Sequence, residues 1–235
     1  MSHESRFHGF PKESLPFLKK IKANNTKEWF DGHKEEYQRL ILEPSRDFVV
    51  EMGEHLQALV PTVNAIPKIN GSLFRIYRDT RFSKNKSPIK SRIGIIFWQG
   101  RGKRMSSSAF YLQFDPKELM LAVGIRSFKK EMLDAYREYI KNDEQRRELH
   151  EILEDVKAKG YQLPEPRYKR YPRGFDKTME HAYLSLYDGI YAFRMLLPSE
   201  LFDEQFVYKA YELYEELFAL HQWVYEMTLT AKEEE

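Results

Sequence analysis

Six cations fall within sixteen residues of this chain: Arg75, Arg78, Arg81, Lys84, Lys86 and Lys90. They are interleaved with Tyr77, Asp79, Thr80, Ser83 and Ser87. A planar guanidinium grips phosphate or carboxylate through two parallel hydrogen bonds, and hydroxyls with loop N–H groups fill the acceptor sites that remain. The chemistry such a stretch suits is recognition of an anion. Asp79 is its one acid. A carboxylate among arginines is held ionised, so orienting a guanidinium is a better use for it than general acid–base work. Alternation along an extended chain puts Arg75 and Arg78 on opposite faces. Arg78 and Arg81 are therefore expected to face a ligand, with Arg75 paired to an acid. Arg173 joins the candidates, because a Pro172-Arg173-Gly174 turn holds a guanidinium at a fixed angle and Gly174 lets backbone approach closely.

The wider charge pattern agrees. The 235-residue chain is almost balanced at +2, yet Pro67 to Arg104 carries five Lys and six Arg against Asp79 alone, a net +10. The remainder is at −8. Three readings follow. The preferred one is a site for a small anionic ligand, with catalysis left open. The second is a structural or protein-interaction domain whose cations pair internally with acidic helices. The third is a nucleic-acid-binding module with Tyr77, Phe82 and Trp98 as stacking partners. No partner protein is indicated.

Other chemistries lack their residues. With no cysteine there is no disulfide framework, thiolate zinc, iron–sulfur cluster or cysteine nucleophile. There is no phosphate-binding Gly-rich loop followed by Lys-Ser/Thr, no G-x-S-x-G elbow, no H-E-x-x-H and no calcium loop. No cofactor and no metal site are expected. His150-Glu151 lacks a second histidine and is expected on a surface helix. The aromatic stripe Phe206, Tyr211, Tyr214 and Phe218 reads as core, and Gly100-Arg101-Gly102-Lys103-Arg104 as a solvated hairpin tip. No apolar run approaches the ~20 residues of a membrane span, and the start MSHESRFHGF has no signal-peptide core. A soluble, cytoplasmic protein is the expectation.

The elements that must position the cations are read from periodicity. Ser14 to Asn24 is an amphipathic helix with Ser14 as cap, and Thr26 caps a second run through Ile41. Pro44 is expected to break that run and open a helix ending before Pro61. Runs with period near two follow: Ser72–Arg78, Arg92–Trp98, Phe110–Phe114 and Leu119–Ile125, the last two joined by an Asp115-Pro116-Lys117-Glu118 turn. Ser127 is expected to cap a helix through Ile140, and a further helix runs from Asp143 to Lys159 and stops at Gly160. After an irregular stretch from Leu163 to Asp176 come a short helix over 180–187 and a strand over 190–197. Ser199 is expected to cap one long final helix, and Lys232–Glu235 to fray. The class is α+β: a mainly antiparallel sheet covered by N- and C-terminal helices. A single domain over 1–235 is expected, with a helical subregion at 14–60, a sheet region at 70–125 and a helical region at 127–230.

The string from Phe74 to Lys90 resembles the signature R-I-x-R-D-x-R-F-S-x-x-K-x-P-x-K of the uncharacterised family catalogued as domain of unknown function 2461. Phe10-Pro11, Leu15, Phe17-Leu18, Asn24-Asn25, Lys27, Trp29-Phe30, Tyr37 and Pro44 resemble its N-terminal pattern. Tyr168 to Asp176 resembles its later K-x-x-P-R-G-F segment, so the likeness covers most of residues 7–200. There are departures: Val123 to Ser127 keeps one Gly and no Pro, and Ile89 stands where the family commonly has Tyr. The resemblance implies no activity, since the family carries none, but it supports the α+β reading and the choice of segment.

Overall fold

The computed structural model describes residues 7–231. The fraying expected at Lys232–Glu235 falls outside them. The architecture is α+β, with a five-stranded antiparallel sheet in the simple order β1-β2-β3-β4-β5. The strands are β1 (Val63–Asn64), β2 (Ile93–Gln99), β3 (Ala109–Phe114), β4 (Leu119–Ile125) and β5 (Ile190–Leu196). Four helices precede the sheet: α1 (Ser14–Ala23), α2 (Lys27–Asp31), α3 (Lys34–Tyr37) and α4 (Glu43–Leu59). Between β4 and β5 run α5 (Lys130–Tyr139) and α6 (Asp143–Ala158), and α7 (Phe206–Glu216) and α8 (Phe218–Leu229) follow the sheet. Among the described residues no helix is long and apolar enough to cross a membrane.

The chain divides into two compact units. The first comprises residues up to 97 together with 111–121 and 195–212, and the second holds 98–110, 122–194 and the chain from 213 onward. In the first, α4 buries Phe48, Val49, Met52 and Leu56. Phe48 is the hub: its ring meets Phe7 edge-on at 5.3 Å, lies 6.3 Å from Phe97 of β2 and stacks on Phe206 at 5.8 Å. In the second, buried Tyr136 of α5 sits between Phe128 and Trp223 of α8, and its hydroxyl donates to the Leu184 carbonyl at 2.8 Å. Gly124 of β4 has φ +119°, and a Cβ there would lie 2.2 Å from the Ile190 carbonyl oxygen of β5. Only glycine permits that approach.

Local chemistry explains where the elements start and stop. Thr26 caps α2 by accepting the Trp29 N–H at 3.2 Å, and the Asp115 carboxylate accepts from Lys117 and Glu118 to close the β3–β4 turn. Gly160, at φ +84°, ends α6 in the left-handed conformation expected of a C-terminal glycine.

Four boundaries differ from expectation. Ser14 lies inside α1, after Glu13 at the cap position, because its hydroxyl is drawn into the core to donate to the Leu40 carbonyl at 2.7 Å. Pro44 breaks nothing: a wider π turn at Gln38–Leu42 carries the chain to it, and in the first turn of α4 no proline N–H is required. Lys129, not Ser127, precedes α5, since the Phe128 N–H is tied to the Asp188 carbonyl at 2.6 Å. Ser199 lies inside a 3-10 turn over Pro198–Phe202, and two helices follow, interrupted at Leu217, whose N–H bonds three residues back to Tyr214.

Candidate functional site

The segment from Ser72 to Arg78 is not a strand of the sheet: it makes only isolated bridges at Leu73 and Tyr77. It touches β2 only around Leu73, through the Leu73–Ile95 bridge and bonds from Phe74 N–H to Gly94 and from Ile96 N–H to Ser72. The chain then peels away and pairs with itself. Arg78 N–H donates to the Pro88 carbonyl at 2.8 Å and Lys90 N–H to the Ile76 carbonyl at 2.9 Å, on either side of a Tyr77–Ile89 bridge. Self-pairing wins because Ile76 and Ile89 bury their side chains there while most of the residues between them are polar.

Asn25 fastens this base. Its side-chain amide donates to the Ile89 carbonyl at 2.8 Å and accepts the Ile89 N–H at 2.9 Å, as a neighbouring strand would. Tyr77 adds an edge-on contact with Phe30 at 5.6 Å. From this base the loop Asp79–Ser87 projects, stitched by its own short side chains: Asn85 accepts the Ser87 N–H, and the Thr80 carbonyl accepts from Lys86 at 3.0 Å.

The six cations part company here. Arg81 is gripped by Asp79 through two bonds, of 3.0 and 2.7 Å, and its N–H also reaches that carboxylate. Asp79 thus orients a guanidinium, that of Arg81, because the turn at Asp79 folds the two side chains together. The Arg81 hydrogen bonds, with Arg75 nearby, hold the Asp79 carboxyl below the usual range, so it stays ionised. Lys90 donates to the Arg75 carbonyl at 2.8 Å. Among the described residues, the side chains of Arg75, Arg78 and Lys84 make no hydrogen bond and no ion pair. Arg78 is half-buried, whereas Arg75 and Lys84 are exposed. Phe82 at the tip is 96% exposed, 5.9 Å from the Arg81 guanidinium.

Arg173 belongs to the second unit. It is exposed, beside Gly174 at φ +91°, in an irregular loop that also exposes Arg167, Lys169, Arg170 and Lys177. Tyr168 of this loop lies under the Arg137 guanidinium at 4.7 Å. His150 is half-buried rather than freely exposed: it pairs with the Tyr183 hydroxyl at 3.0 Å and stacks on His181 at 3.6 Å. Burial and the His181 charge push its pKa down. Among the described residues no three His, Asp or Glu side chains are placed to hold a metal ion. The role of Asn25 was hidden in sequence, because its partner is main chain sixty-four residues away.

The pattern of the family described as Conserved hypothetical protein (DUF2461) matches residues 13–223. The chain belongs to this family. The matched span includes the whole pinned loop, Asn25 and Arg173. No curated protein and no solved structure matches the chain.

Proposed function

We propose that this protein binds a phosphate- or carboxylate-bearing ligand at the base of the 75–90 loop, with Arg78 as the principal contact. Arg75 and Lys84 supply further charge, Lys86 and Lys90 shape the loop through main-chain carbonyls, and Arg81 orders it through Asp79. One observation carries the reading: a half-buried arginine, on a base fastened by Asn25, makes no ion pair among the described residues. A structural arginine at that depth would be expected to have a partner, since removing a cation from water without one is unfavourable. The internal ion-pair alternative would place acids against these cations, and within the segment Asp79 reaches Arg81 alone at ion-pair distance.

Thermal unfolding in rising inorganic phosphate tests the proposal. The wild-type midpoint should climb with phosphate, and Arg78→Ala should weaken that response by about 1.5–3 kcal/mol of binding free energy, the range for a hydrogen bond to a charged group. The variant should unfold close to wild type without phosphate. A wild-type midpoint indifferent to phosphate and sulfate, with Arg78→Ala simply melting earlier, would refute the proposal.

A further inference from the structure

The basic run Gly100 to Arg104, between β2 and β3, exposes Arg101, Gly102 and Lys103 as a solvated hairpin tip would, but its main chain is anchored. Gly100, at φ +81°, presses against Tyr225 of α8 so closely that a Cβ would stand 2.8 Å from the tyrosine oxygen. The Trp98 indole N–H donates to the Gly102 carbonyl at 3.1 Å, and the Ser107 hydroxyl to the Gln99 carbonyl at 2.7 Å. The tip is folded back and fastened, all within the second unit, and it forms one wall of a cavity of about 400 Å³. The start of α5 and the last turn of α8 form the others. That volume lies within the range of small-molecule sites.

The lining is divided by chemistry. Ile125, Phe128 and Met132 make an apolar floor, and Met105 and Leu229, 55% and 67% exposed, stand at the cavity edge. Lys103 from the tip and Lys129 from the α5 entry line it from different walls, together with Ser106 and Ser127. Neither ammonium has a hydrogen bond or ion pair among the described residues. Glu131 is the one acid in the lining, so the balance is positive. Exposed Met105 and Leu229 beside the cavity offer apolar surface to a ligand, and thioether chains adapt to its shape.

We propose that this cavity binds a small amphipathic anion: an apolar chain or ring laid on the Phe128–Met132 floor, its carboxylate or phosphate head held by Lys103 and Lys129. The site is separate from the 75–90 loop and shares no residue with it.

The test is thermal unfolding of the full chain with octanoate and octyl phosphate as probes, against octanol, which lacks the charge, and acetate, which lacks the chain. At least one of the two amphiphilic anions should raise the midpoint saturably, while octanol and acetate leave it in place. Combining Lys103→Ala with Lys129→Ala should weaken the response at least tenfold, the loss of one charged hydrogen bond. Met132→Trp, which fills the floor, should abolish it while circular dichroism stays native. Should that variant not fold, Ser106→Trp fills the cavity from the opposite wall. Arg78→Ala should leave the octanoate response unchanged, which separates failure here from failure at the other site. No shift with either anion, an equal shift with octanol, or a response that survives the folded tryptophan variant would overturn the proposal.

Discussion

Acid should unfold this protein through one histidine. His221 of α8 is buried at 1% exposure, stacked on Phe110 at 4.2 Å, with Nδ1 3.0 Å from the Ser108 hydroxyl and Nε2 2.8 Å from Gln99 Oε1. A neutral ring satisfies both contacts, with Nε2–H donating to the Gln99 oxygen and Nδ1 accepting from the Ser108 hydroxyl. Burial pushes the pKa down from 6.5 to about 3. The native state therefore binds fewer protons than the unfolded chain between these values. Its stability is fully present above about pH 6.5 and is lost as pH falls toward 3. Linkage puts the loss at about 3 kcal/mol by pH 4, approaching about 5 kcal/mol at lower pH. Against a typical domain stability of about 5–15 kcal/mol that is a large share. Urea unfolding of wild type and His221→Gln at pH 7.5 and pH 4 isolates it, because the carboxylates titrate alike in both proteins. Wild type should be the more stable at pH 7.5 by about 1–3 kcal/mol, from the packing and hydrogen bonds the variant loses. At pH 4 the difference should shift by about 3 kcal/mol in the variant's favour. A stability gap that stays constant from pH 7.5 to pH 4 would refute the reasoning.

Arg146 is 3% exposed and donates to the carbonyls of Glu180, Ile140 and Lys141 while pairing with exposed Asp143, so Arg146→Met, which leaves those carbonyls without their donor, should destabilise by at least about 1–3 kcal/mol, read as a lower urea midpoint. Arg146→Lys should recover only part of that, because an ammonium cannot span the same fork of acceptors. Asn25→Ala removes both bonds to Ile89, and should cost about 1–2 kcal/mol and make the loop between Lys84 and Lys86 cut faster by trypsin, with an unchanged rate counting against the clamp.

Much of the fold was legible locally. The period-two runs at Arg92–Trp98, Phe110–Phe114 and Leu119–Ile125 became β2, β3 and β4, because an alternating apolar face has to be buried on one side of a sheet. The Asp115 turn, the Thr26 cap and the Gly160 stop were readable because each acts within a few residues. Ser72–Arg78 has the same alternation, yet it left the sheet after Leu73, since its arms found partners in Pro88–Lys90 and in the side chain of Asn25. The charge of the 75–90 segment was likewise plain from residue types. Which cation Asp79 would take was not: the turn chose Arg81 and left Arg78 half-buried, with no ion pair among the described residues. His221 reads as one more polar residue on an apolar helix until Ser108 and Gln99 are brought to its two nitrogens from more than a hundred residues away. Residue types and short-range spacing determined the elements and the charge. Which polar groups meet, and which are left to meet a ligand, depends on distances between segments remote in the chain, and only the tertiary structure sets those.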